Sequence, residues 1–203
     1  MKPRRWFLPE TPDVLGLLRE QVATVIEGVD AFAAWGDGAA EARAAVADAE
    51  ARGDVAKRRL LDALRTAFVT PVEPEDVFAL SRGVDRIMSA ARGVVEEAEV
   101  LEVGPDERIA GMARLIGEAV RCLDAAIAQL AGDRDAASQQ ADAALAAEGR
   151  LRQASYDGMA ALLHLDARTE RIARRELYRR CAAIGDIVDE AAERVVYAVV
   201  KQS

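Results

Sequence analysis

Histidine is almost missing from this sequence: His164 is the only one in 203 residues. Catalysis of the Ser/His/Asp or Cys/His kind needs a histidine beside its nucleophile. The one available stands near an expected helix end, where its natural role is to face the negative pole of the helix dipole. No GxxxxGK[ST] loop, GxGxxG turn or HExxH helix occurs, so nucleotide and zinc-protease chemistry lack their physical parts. Aromatic residues make up 4% of the chain, too few for a β-sandwich core. The two cysteines, Cys122 and Cys181, are far apart with no CxxC spacing. A chain of this length needs no disulfide staple, so both read as small core residues. No apolar run approaches the roughly 18 residues of a membrane span. The basic start, Lys2, Arg4 and Arg5 before Trp6 and Phe7, is followed by no apolar export segment, and a cytoplasmic location is expected.

What is plentiful is alanine-rich, charge-decorated helix. The composition is 51% hydrophobic and 31% charged, with net charge -8 and pI about 4.9. Such a molecule repels polyanions, which excludes nucleic acid as a general partner. The length fits one domain or two small ones, and no Pro-, Gly- or Ser-rich linker divides it.

Apolar residues recur three and four apart from end to end, the spacing that places them on one stripe of a helix. Leu15, Leu18, Val22, Val25, Val29 and Phe32 form the first stripe, closed by Trp35-Gly36-Asp37-Gly38. The second carries Val46, Ala49, Ala56, Leu60, Ala63 and Ala67 and is expected to stop at Thr70-Pro71, because a residue before proline disfavours helix. Pro74 with Glu75 and Asp76 opens the third, proline suiting the first helical position and the acids the positive pole. Gly104-Pro105-Asp106 starts a fourth helix, Gly132-Asp133 separates it from a fifth, and a turn around Asp166–Thr169 leads to the last. Six amphipathic helices with short connections predict an all-α, antiparallel six-helix bundle.

The chain also echoes itself. Glu50-Ala-Arg-Gly-Asp54, then Leu61 and Leu64, matches Glu148-Gly-Arg-Leu-Arg152, then Met159 and Leu162, at one constant offset. Helices one to three thus read as a duplicate of four to six within a single domain, repeat one over about residues 10–103 and repeat two over about 104–203.

Glu50 and Asp54 stand four apart on the edge of the buried stripe, a like-charge spacing that costs roughly 0.2–0.5 kcal/mol even when exposed. Two residue-level readings follow. A divalent or trivalent metal could offset them, with Asp85 of the third helix completing a hard-oxygen set. Alternatively, Asp54 pairs with Arg58 and Glu50 reaches solvent. In the second copy Arg152 replaces the acid, so Glu148 and Arg152 form an opposite-charge pair, while Asp186 and Glu190 restore one acidic pair on the last helix. The two sites are expected to be unequal. Arg168, Arg171, Arg175 and Arg179 share one side of the sixth helix beside Arg174 and Arg180. A stripe of this kind suits anionic lipid, an acidic protein or phosphate, yet the interleaved Glu170 and Glu176 point to a solvated face with internal ion pairs.

Several of these segments together resemble the PhoU-like proteins paired with Pit-type low-affinity phosphate permeases. They are Phe7-Leu-Pro9, Glu50 with Asp54, Phe68-Val-Thr-Pro-Val-Glu-Pro-Glu-Asp76-Val, Leu80 with Asp85, Glu176-Leu-Tyr with Asp186, and Val200-Lys201. The resemblance spans nearly the whole chain, its most specific element being the Phe-x-Thr-Pro turn before an acidic helix start. It implies two repeated three-helix bundles, a role in phosphate uptake or its regulation, docking on a permease at its cytoplasmic face, and acidic clusters that hold metal in some members. The ligand set so implied is Glu50, Asp54 and Asp85, with Glu148, Asp186 and Glu190 as a second, unequal set. This chain departs from the family pattern at Glu73-Pro74, Arg86, Ser89, Arg152 and Ala182. Two other functions stay open at this stage: a metal-dependent phosphohydrolase built in a helical bundle, and a structural homo-oligomer.

Overall fold

The structure, a computed structural model, describes residues 12–201. Among them run six α-helices, α1 Val14–Gly36, α2 Ala42–Thr66, α3 Pro74–Val100, α4 Glu107–Gln129, α5 Arg134–Ala161 and α6 Arg168–Lys201, with a 3-10 turn at Leu162–His164 and no strand. The basic residues Lys2, Arg4 and Arg5, and the Phe7-Leu-Pro9 segment, lie outside the described residues.

Aspartates set three of the helix starts. Asp13, Asp106 and Asp133 each accept a hydrogen bond from the amide three residues on, at 2.8, 2.9 and 3.0 Å, satisfying a donor that the first turn leaves free. Pro74 takes the first position of α3, as its fixed φ and missing amide favour. One boundary differs from the sequence reading. α2 ends at Thr66, a turn before Thr70-Pro71, and the chain goes extended at Ala67. Past Leu64 this segment has little to bury, Phe68 being 93% exposed, so another helical turn would gain almost no packing. The third helix is closed by Glu102, which takes the left-handed φ of 53°, ahead of the Gly104-Pro105 pair.

Packing follows from the stripes. α1 lies against α2, α3 and α4, α4 lies against α1, α5 and α6, and α3 pairs with α2 and α6. Each contact among α1–α3 has a counterpart among α4–α6, and the seams α1–α4 and α3–α6 join the halves. Both joining seams are antiparallel: Arg19 meets Asp124 while Asp30 meets Arg121, and Asp76 meets Arg194 while Arg86 meets Glu190. One continuous core results, including Phe32, Leu60, Ile87, Ile116, Leu151 and Ile184. Each large side chain buried there contributes about 1.5–3 kcal/mol relative to exposure. Of the two free cysteines, Cys181 is buried in this core and Cys122 is half-buried at its margin.

Candidate functional site

Five of the six candidate acids fall on three helix seams. On α2, Glu50 and Lys57 are half-buried and turned toward α3. Because α2 and α3 run antiparallel, Glu50 comes opposite Arg92 and Lys57 opposite Asp85, and each pair closes an ion pair across the seam. Arg92 also donates to Glu96 at 2.7 Å, and its pKa is raised first by the bond to Glu50 and then by that to Glu96. Asp54 does not join them. A four-residue step overshoots a full helical turn by about 40°. Asp54 is therefore rotated away from the seam, where it is exposed and forms no ion pair, with Arg58 or any other described residue. Glu50, expected to reach solvent if no metal held it, is instead fixed by Arg92 with 19% of its side chain exposed.

The second copy places its cation differently. Arg152, at the position of Asp54, donates from Nε at 3.0 Å and from Nη2 at 2.6 Å to one oxygen of Glu148. Glu148 is buried, and its room comes partly from Gly185, where a Cβ would sit 3.2 Å from the glutamate Cγ. The guanidinium pKa rises because of this hydrogen bond and the Glu148 charge, with a smaller contribution from Asp186. These groups line a cleft of about 340 Å³ between α5 and α6, with Ser155, Tyr156 and Arg179 on its walls. Ser155 stands where the first copy has Lys57; it is buried and donates to the Tyr178 carbonyl at 3.5 Å. The sites are thus unequal, as the sequence implies: Lys57 and Arg92 neutralise one, Arg152 the other.

Asp186 and Glu190 do not form a shared acidic pair. Asp186 faces the α5–α6 cleft, whereas Glu190 faces α3 and pairs with Arg86 at 2.5 Å. Among the described residues no three His, Cys, Asp or Glu side chains converge closely enough to hold a metal ion. The carboxylates implied as ligands therefore do not fit a metal as arranged, since most are already engaged by lysine or arginine and none forms a set of three.

Sequence reasoning missed two polar clamps. Asp76, seen only as an acid suited to a helix start, is 2% exposed and is held by Arg194 at 3.2 Å and Lys201 at 3.5 Å. Lys201 also pairs with Glu73, so the last turn of α6 is tied to the first turn of α3. Asp106, besides capping α4, accepts from the Tyr178 hydroxyl at 2.6 Å and from Arg174 at 2.5 Å. Burial and that bond push the Tyr178 phenol well above its ordinary range. Neither partnership has a local signal, because the partners are brought together only by packing. His164, exposed at the end of the 3-10 turn after α5, touches none of these groups.

No family model matches the sequence, and no curated protein is significantly similar to it. Two solved structures from Shewanella oneidensis MR-1 share the fold, each with a TM-score of 0.77 at 16% identity. One, described as a PhoU-like protein, aligns over 92% of this chain and 99% of its own. The other, described as a putative PhoU-like phosphate regulatory protein, aligns over 93% of this chain and 99% of its own.

Proposed function

We propose that this protein is a non-enzymatic, cytoplasmic accessory of inorganic phosphate transport that acts by reversible docking of a rigid helical bundle on the inner face of a Pit-type permease. The observation that carries this reading is agreement in fold over more than nine-tenths of both chains with a protein described as a phosphate regulatory one. The Phe68-to-Val77 segment supports it, since the acidic helix start of the resemblance becomes the buried anchor Asp76 that holds α6. Among the described residues no helix is long and apolar enough to cross a membrane, which suits docking on the permease from outside the bilayer.

No step of this mechanism runs through a metal. A hydrolase would need several protein ligands and an open position for water, and the seam carboxylates are committed to Lys57, Arg92 and Arg152. The test is recovery of the tagged protein from detergent-solubilised membranes of cells grown at high and at low phosphate. A phosphate permease should co-purify in at least one condition. Its absence from both overturns the reading, as does phosphohydrolase turnover by the purified protein that is lost in Glu50→Ala.

A further inference from the structure

The six arginines near the start of α6 divide into two groups. Arg174 is held by Asp106 and Glu170, Arg179 by Glu176, and Arg180 by Glu97 and Glu176. Arg168, Arg171 and Arg175 make no side-chain ion pair or hydrogen bond among the described residues. The expectation of a wholly self-paired face thus holds for one group only. The three free guanidinium groups lie three, four and seven residues apart, on one side of the helix. Ile172, 60% exposed, sits among them, and beside it a groove of about 630 Å³ opens against Leu101.

The surroundings are apolar as well. α3 and α5 end where α6 begins, so Val100, 81% exposed, and Leu163, 75% exposed, belong to the same end of the bundle as Ile172. Exposed aliphatic side chains beside free arginines are the composition of surfaces that sit in the headgroup layer of a bilayer. Net charge is -8 for the whole chain, so the molecule as a whole is repelled by an anionic membrane, and the three free arginines give this end the opposite local charge. A permease is the weaker match, because the cytoplasmic loops of membrane proteins carry an excess of lysine and arginine.

We infer that the α6 start, with Arg168, Arg171, Arg175 and Ile172, is a membrane-facing surface that binds anionic lipid headgroups. This deepens the reading above by naming the end of the bundle that meets the bilayer when the protein docks. The arginines attract the headgroup charge, and Ile172, Val100 and Leu163 enter the layer beneath it.

The test is flotation of the purified full chain with vesicles of phosphatidylcholine alone and of phosphatidylcholine containing phosphatidylglycerol, at low and high salt. Binding is expected only to the anionic vesicles and should fall with salt, as screening requires. Reversing the three charges in R168E/R171E/R175E should weaken it on the order of a hundredfold, from roughly one headgroup attraction per arginine. Ile172→Ser should weaken it less. Reversal of Arg58 and Arg134, exposed arginines elsewhere, should leave it unchanged, and circular dichroism of each variant checks the fold. Failure of the native chain to float with anionic vesicles overturns the inference, as does equal loss in the Arg58/Arg134 control. If vesicles are ignored while the triple variant loses a permease in the detergent pull-down, the surface meets protein, and the inference fails while the phosphate reading stands. Vesicle binding without any permease recovered leaves the lipid surface established and the phosphate reading overturned.

Discussion

Ser81 donates its hydroxyl proton to Gln21 Oε1 at 2.7 Å, and Gln21 Nε2 donates in return to the Ser81 carbonyl at 3.0 Å, with both side chains fully buried between α1 and α3. The pair is self-satisfying, and breaking it on one side strands the other. Ser81→Ala should cost about 1–3 kcal/mol by leaving the glutamine oxygen unpartnered, whereas Q21L/S81A should recover most of that loss. Urea unfolding of the single and double variants measures this; equal stability of all three proteins would remove the pair from the account.

Close helix approach is equally specific. A Cβ at Gly36 would lie 2.6 Å from the Cα and 2.8 Å from the amide nitrogen of Ala110, both backbone atoms of α4, while at Gly28 it would meet the Met88 thioether and, at 2.9 Å, the Cβ of Ala49. Met88 can shift its thioether, but the α4 backbone cannot yield without moving the helix. Gly36→Ala should therefore lose about 1–3 kcal/mol and more than Gly28→Ala. Thermal melts that rank the two the other way would contradict the packing.

Lys57 and Arg92 stand among acids that resemble a metal site. Replacing both by methionine removes the internal cations and leaves Glu50 and Asp85 needing a new counter-charge. The K57M/R92M protein should bind a hard divalent ion such as manganese at least about tenfold more tightly than the native chain does. Calorimetric titration decides it, and native binding as tight as the variant's would show that the cations do not occupy a ligand's place.

Burial pushes the Cys181 thiol up to about 12, from an ordinary value of 9.0. The unfolded chain loses this proton at lower pH than the folded one, so the contribution is complete below pH 9 and disappears as pH rises toward 12. Tyr178 is shifted in the same direction. Stability should fall through this window by roughly 1 kcal/mol per pH unit for the thiol, and Cys181→Ala should flatten the slope. Urea midpoints at pH 8, 9, 10 and 11 test it; an unchanged slope in the variant would exclude the thiol as the cause.

Much of the bundle is legible in one dimension. The stripe from Leu15 to Phe32 and that from Val46 to Leu60 fix which face of α1 and α2 is buried, since an apolar row at helical spacing has only one side to hide. Pro74, Asp106 and Asp133 mark helix starts by local chemistry alone. The end of α2 was not legible in this way, because Phe68 and Val69 are apolar yet turn outward. Whether a helix continues depends on what it can be buried against, which no local pattern records.

The candidate site divides along the same line. The repeated Glu50 and Glu148, and the exchange of Asp54 for Arg152, are properties of the sequence and already make the two copies unequal. Which acid meets which base was decided by the antiparallel set of α2 against α3, which brings Arg92 to Glu50 and Lys57 to Asp85, and by the rotation that sends Asp54 to solvent. In the same way the arginines of α6 are visible as a stripe, but only packing against α3 and α4 shows that Arg174 and Arg180 are spent on Glu97 and Asp106 while Arg168, Arg171 and Arg175 stay free. Periodicity settles the faces of a helix because it is a property of one helix; ion pairing needs the distance between two, and that exists only once the chain has folded.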